Sequence, residues 1–157
     1  MDFTNLVKLK HRLDRRVKMI SVIPIFIFLA LIFQMVLLIV GVNTSATWFN
    51  IVIVDQLFVN ASSFLQVDNI VLSFMFFGAL VLIVIVLLIC AIFCAKKIKA
   101  AYQLLFISYG IDTILAILAV NYIQIAVHIV FLISIIVAIR SLIKLETIPK
   151  DLWGYED

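Results

Sequence analysis

Long apolar stretches alternate with short polar ones along this chain, and their lengths set the architecture. Residues 19–41 (Met19 to Gly41) and residues 70–95 (Ile70 to Ala95) are each nearly uninterrupted runs of apolar side chains. A bilayer core about 30 Å thick takes about 20 apolar helical residues to cross, so each run predicts one crossing. Residues 100–139 form a third stretch that contains neither Lys nor Arg. As a single helix these 40 residues would reach about 60 Å, at 1.5 Å per residue. That is twice the core thickness, so the stretch must fold into a hairpin. Asn121 and Tyr122 are the most polar pair near its midpoint and mark the turn. The pattern therefore predicts transmembrane helices over 19–41, 70–95, 100–120 and 123–140.

Charge orients these spans. The 12 Lys and Arg residues fall into three clusters. Lys8, Lys10, Arg12, Arg15, Arg16 and Lys18 precede the first span; Lys96, Lys97 and Lys99 separate the second from the third; Arg140, Lys144 and Lys150 follow the fourth. Four crossings bring all of them to one face, the cytoplasmic one by the positive-inside rule. The expected fold is an all-α integral membrane protein, a four-transmembrane-helix bundle with the N-terminus and the C-terminus cytoplasmic. It is one membrane domain over 1–157, with 42–69 an extracellular loop and 141–157 a cytoplasmic tail. Composition agrees: 66% of residues are hydrophobic and 13% charged, with a mean hydropathy of +1.30, whereas soluble domains are about half apolar and a quarter charged. The first apolar run is longer than a signal-peptide core and no convincing cleavage site closes it. That helix is expected to be retained, with Pro24 in its first turns, where proline is tolerated. The Ile-rich composition points to a bacterial cytoplasmic membrane.

Outside the spans, three segments carry further signals. Phe3, Leu6, Val7, Leu13 and Val17 recur at helical spacing within residues 1–18, a segment of net charge +4 from six basic and two acidic residues. It reads as a basic amphipathic helix or a plain positive-inside anchor, with Lys8, Lys10, Arg12, Arg15, Arg16 and Lys18 facing the anionic inner leaflet. The loop 42–69 is apolar where such loops are usually polar. Its core from Trp48 to Phe58 is too short to cross the bilayer and fits an interfacial or re-entrant segment. The alternatives are a strip that docks on a partner, through Trp48, Phe49 and Phe58, or a short helix lying on the bundle itself. Trp153 and Tyr155 in the tail are a further candidate contact, with the inner interface or with a partner. Asn43-Thr44-Ser45 and Asn60-Ala61-Ser62 match the glycosylation triplet, a short pattern of low specificity.

Polar groups inside the spans are the sharpest signal, because lipid makes each one costly. A carboxylate at a helix centre costs about 2.5–3.5 kcal/mol on insertion scales, so it faces protein or water and has a partner. Asp112 in the third span is such an acid, and His128 is the histidine of the fourth. Counted from the turn at residue 121 their depths differ by only about 3 Å. Gln34 falls in the same layer, and Ser108, Thr113 and Gln124 add hydroxyl and amide groups nearby. Ser108, Asp112, Ala116 and Ala119 form a stripe of mostly small residues of the kind that lets membrane helices approach, so Asp112 is expected to face a helix. An Asp112–His128 pair could relay protons, hold an ion or fasten helices together.

Other chemistry lacks its residues. Zinc-protease, serine-hydrolase and phosphate-loop motifs are absent, so no enzyme, metal or cofactor is expected. The basic segment abuts a span and has no nucleic-acid-binding fold around it. Cys90 and Cys94 lie one helical turn apart in the second span and cannot brace the loop. That sets the chain apart from tetraspanins and claudins. Its acid in the third span, with Gln34 in the first, sets it apart from small multidrug transporters. Two readings remain: a non-catalytic accessory or interaction subunit of a larger membrane assembly, or a small oligomeric proton- or ion-linked transporter or channel using Asp112 and His128. The expected partners are membrane lipids and another membrane protein or further copies of this chain.

Overall fold

The computed structural model describes residues 3–45, 47, 49–67 and 69–149, and every regular element among them is an α-helix. Six helices follow in order: α1 (Phe3–Ile20), α2 (Val22–Ile39), α3 (Val52–Gln66), α4 (Ile70–Ala95), α5 (Lys99–Leu118) and α6 (Tyr122–Glu146). Four helical stretches are long and apolar enough to cross a membrane: α1 with α2 taken as one, then α4, α5 and α6. The chain is thus a multi-pass membrane protein. The second span falls on the predicted residues, and the hairpin turns where expected, with Asn121 capping α6 by accepting from the Gln124 N–H at 3.3 Å. At its far end α6 runs past Arg140 to Glu146, so the predicted tail begins as helix.

Pro24 explains the break between α1 and α2. Its nitrogen has no hydrogen to give the Ile20 carbonyl, and its ring crowds that group. The helix interrupts one residue later, at Ser21, whose hydroxyl turns back to the Lys18 carbonyl at 2.8 Å. Beyond the break α1 packs on α6. Leu13 and Val17 are buried there in the same core as Leu142 and Leu145. The predicted amphipathic helix exists, but its apolar face is covered by protein, while Lys8, Arg12, Arg15, Arg16 and Lys18 are exposed and Lys10 is half-buried. Asp14 pairs with Lys97 and, at the same end of the bundle, Lys99 lies 2.6 Å from Glu146. We call this the basic end and the opposite one the loop end.

The spans pack α2 on α4, α4 on α5, and α5 on α6. Between α2 and α6 the edge-on rings of Phe26 and Phe131, with centroids 6.1 Å apart, complete the circuit. At the loop end the chain does not stay outside this circuit. After α2 it turns at Gly41, whose φ of +82° is the left-handed conformation of a helix C-cap, and the chain then enters among the spans, where Thr44, Asn50 and Ile51 are buried. There α3 begins and climbs back, antiparallel to α4. At 15 residues it is about 22 Å long, too short to cross. Small residues let α3 and α4 approach: Ala61 and Ser73 are both buried, and the Ser73 hydroxyl donates to the Ala61 carbonyl at 2.8 Å. Phe64 stacks on Phe76 beside them, with centroids 5.5 Å apart. The described residues of this loop form a re-entrant segment, with α3 lying on the bundle's own span α4.

Candidate functional site, a polar layer around a re-entrant segment

Irregular backbone at membrane depth survives only where protein satisfies its N–H and C=O groups. In this protein side chains from three spans do so. Gln34, on α2, treats Ile51 as a neighbouring strand would: its Oε1 accepts from the Ile51 N–H at 2.8 Å and its Nε2 donates to the Ile51 carbonyl at 3.1 Å. The same Nε2 also donates to Asn50 Oδ1. On α6, Gln124 Nε2 donates to the carbonyls of Ser45 and Thr47, both at 3.1 Å. Asn121 Nδ2 reaches the Ser45 carbonyl at 2.8 Å. Within the segment the Thr44 hydroxyl donates to Asp55 Oδ1 at 3.0 Å, tying the descending strand to the first turn of α3.

Asp112, on α5, serves the start of α3. A helix leaves its first N–H groups without intrahelical partners, and Ile51 at the N-cap position offers no side-chain oxygen. Asp112 supplies both: Oδ1 accepts from the Ile53 N–H at 2.8 Å and Oδ2 from the Val52 N–H at 3.3 Å. It acts as an N-cap residue delivered by another span, and its charge meets the positive end of the α3 dipole. His128 on α6 completes the arrangement, with Nε2 3.2 Å from Asp112 Oδ2. Both side chains are 2% exposed. The imidazole stands edge-on to the Tyr109 ring, with centroids 4.6 Å apart. Its Nδ1 is buried without a hydrogen-bond partner.

The structure brings Gln34, Asp112, Gln124 and His128 together around one segment. Ser108 and Thr113 do not join it. The Thr113 hydroxyl turns back to the Tyr109 carbonyl of its own helix at 2.7 Å, and Ser108 is half-buried on the wall of a cavity beside Asp112. Phe49 and Phe58, proposed as partner contacts, are half-buried and packed on Phe33 and Phe77. Trp48, Trp153 and Tyr155 lie outside the described residues. Thr44, Asn50 and Asp55 also belong to the network, as does Asn121, which the sequence marked only as the turn; an Asn and an Asp five residues apart within an apolar run are a signal for Asn50 and Asp55. Among the described residues no three His, Cys, Asp or Glu side chains gather into a metal-binding group.

No protein family, curated protein or solved structure matches this chain. The chemistry of the layer is thus the guide to function.

Proposed function

We propose that the protein is a non-catalytic accessory subunit of a larger membrane assembly, inserted in a bacterial cytoplasmic membrane with both termini and the basic end on the cytoplasmic side. One observation carries this reading: the polar groups of Gln34, Asp112 and Gln124 are spent on the backbone of Ser45, Thr47, Ile51, Val52 and Ile53. A conducting path needs polar groups turned towards a lumen; these are turned towards the protein's own chain. What they produce is a fixed surface at the loop end. There an open groove of about 500 Å³ runs between the last turn of α2 and α3, with Leu38 and Phe58 beside Asn43, Asp55 and Gln66. Such a mixed surface suits a partner's segment. On the other face the exposed cations of α1 suit anionic lipid, each contributing about 1 kcal/mol near such a surface.

Purification from the native membrane in mild detergent tests the proposal. A different membrane protein should be recovered in stoichiometric amount, and substitutions along the groove, such as Gln66→Trp, should release it. Recovery of this chain alone, in every mild detergent tried, would contradict the reading.

The second reading, a small oligomeric proton- or ion-linked transporter, is favoured by the buried, unpartnered Nδ1 of His128 next to Asp112. Transporters place half-helix ends at mid-membrane to meet substrates; in this chain Asp112 occupies that end. Vesicles carrying the wild type should leak protons no faster than vesicles carrying Asp112→Asn or no protein. Faster flux that Asp112→Asn abolishes would decide for transport.

A further inference from the structure

The contacts around Asp112 leave one side of it open. A cavity of about 220 Å³ lies between α4 and α5 beneath the tip of the re-entrant segment, with Ile53, Leu82, Leu87, Ser108, Ile111 and Asp112 among its walls. Leu82 and Ile111 are 61% and 51% exposed and stand within membrane-spanning helices, so the mouth faces hydrocarbon. An apolar cavity of about 150 Å³ stays dry and takes up a benzene ring. This one has room for a ring with a substituent, and a way in from the bilayer.

Its wall is apolar except at Ser108, Tyr109 and Asp112, and of these Ser108 and Asp112 stand one turn apart on the same face of α5. The Ser108 hydroxyl makes no hydrogen bond among the described residues. That is unusual in this protein: Ser62, Ser63, Thr113, Ser134 and Ser141 each donate to the carbonyl four residues back. Asp112 accepts from two N–H groups and contacts His128 Nε2. A carboxylate has about four acceptor positions, so one stays free. The pair thus presents one charged acceptor and one hydroxyl able to donate, at the end of an apolar space.

We propose that this cavity is a binding site for a lipophilic phenol. The ring fills the space between α4 and α5, its hydroxyl donates to Asp112 and accepts from Ser108, and an alkyl substituent leaves through the mouth at Leu82 and Ile111 into the bilayer. A membrane-dissolved hydroquinone belongs to this chemical class. The site is independent of the accessory reading, since it uses the lipid-facing side of the layer and not the groove.

Three probes of one shape test it. Full-length protein in lipid nanodiscs is titrated with 4-decylphenol, 4-decylanisole and decylbenzene, heat being read against empty discs. The phenol should bind saturably, one per chain. The methyl ether, which cannot donate, and the hydrocarbon should each bind at least about tenfold more weakly, since each factor of ten corresponds to about 1.4 kcal/mol, within the range of a hydrogen bond to a charged group. Ser108→Ala should weaken the phenol about three- to tenfold while leaving the hydrocarbon unchanged. Leu82→Trp or Ile111→Trp, which close the mouth from its exposed rim, should remove saturable binding. Equal affinity for the three probes, phenol binding that both tryptophan variants leave intact, or no saturable heat with any probe would each overturn the proposal.

Discussion

Asp112 holds one residue-scale idea in concentrated form: an intramembrane carboxylate whose partners are mostly backbone N–H groups. Two of them belong to the first turn of a helix starting 60 positions earlier, as the Val52 contact shows. Gln34 holds the next residue back, Ile51, by both its backbone groups. Replacing Asp112 by Asn keeps one acceptor and should lower stability by about 1.5–3 kcal/mol, the range of a hydrogen bond to a charged group. Asp112→Leu should cost more, because three donors then lose their acceptor. Gln34→Leu should cost a similar amount. Since both side chains anchor one segment, the double variant should lose less than the sum of the single losses, with a coupling of about 0.5–3 kcal/mol. Denaturant titration in detergent micelles measures the wild type and each variant, and strict additivity would show that the two residues act on separate structures. The common depth of Gln34, Asp112 and His128 was legible from helical rise alone. What they bind was not, because their partners are backbone groups, which leave no mark in a side-chain pattern. Ser108 and Thr113 lie near that layer without joining the network; the Thr113 hydroxyl satisfies itself on the carbonyl one turn back, and the Ser108 hydroxyl faces the cavity beside Asp112.

At the scale of elements, length and periodicity located the spans: α4 from its apolar run, the α5–α6 turn from one polar pair. They could not choose among the fates of residues 48–58, because an apolar run of that length fits an interfacial strip, a re-entrant segment or a docked helix equally well. The choice depends on α3 finding Ser73 and Phe76 on α4 and an N-cap on α5. Two further elements carry testable features. Val120 closes α5 with a φ of +55°, a conformation that opposes its branched side chain. Val120→Gly should raise stability by about 0.5–1 kcal/mol after the added freedom of the unfolded chain is counted, as a shift in the denaturation midpoint; a lowered midpoint would argue against strain there. Helix α1 is held by apolar contact more than by charge. Leu13→Ala should therefore cost at least about 2 kcal/mol, whereas Asp14→Asn, at a half-exposed pair, should change stability by less than about 1 kcal/mol.

The whole molecule is four spans folded around an inserted half-helix, with cations gathered at one end and an irregular segment plugging the other. That asymmetry was visible in the sequence, because every Lys and Arg lies outside the two long cation-free stretches. The orientation it implies is checked by reporter fusions. Green fluorescent protein at the C-terminus should be fluorescent, and alkaline phosphatase inserted near Asn43 should be active; the reverse pattern would turn the bundle over. Amide hydrogen exchange in nanodiscs reads whether residues 51–53 sit inside the bundle under the hold of Gln34 and Asp112. Their N–H groups should be protected as strongly as those in the middle of α2 and α4, and Gln34→Leu or Asp112→Asn should speed their exchange while leaving the spans unchanged. Exchange of these three amides in the wild type at the rate of an exposed loop would contradict the account.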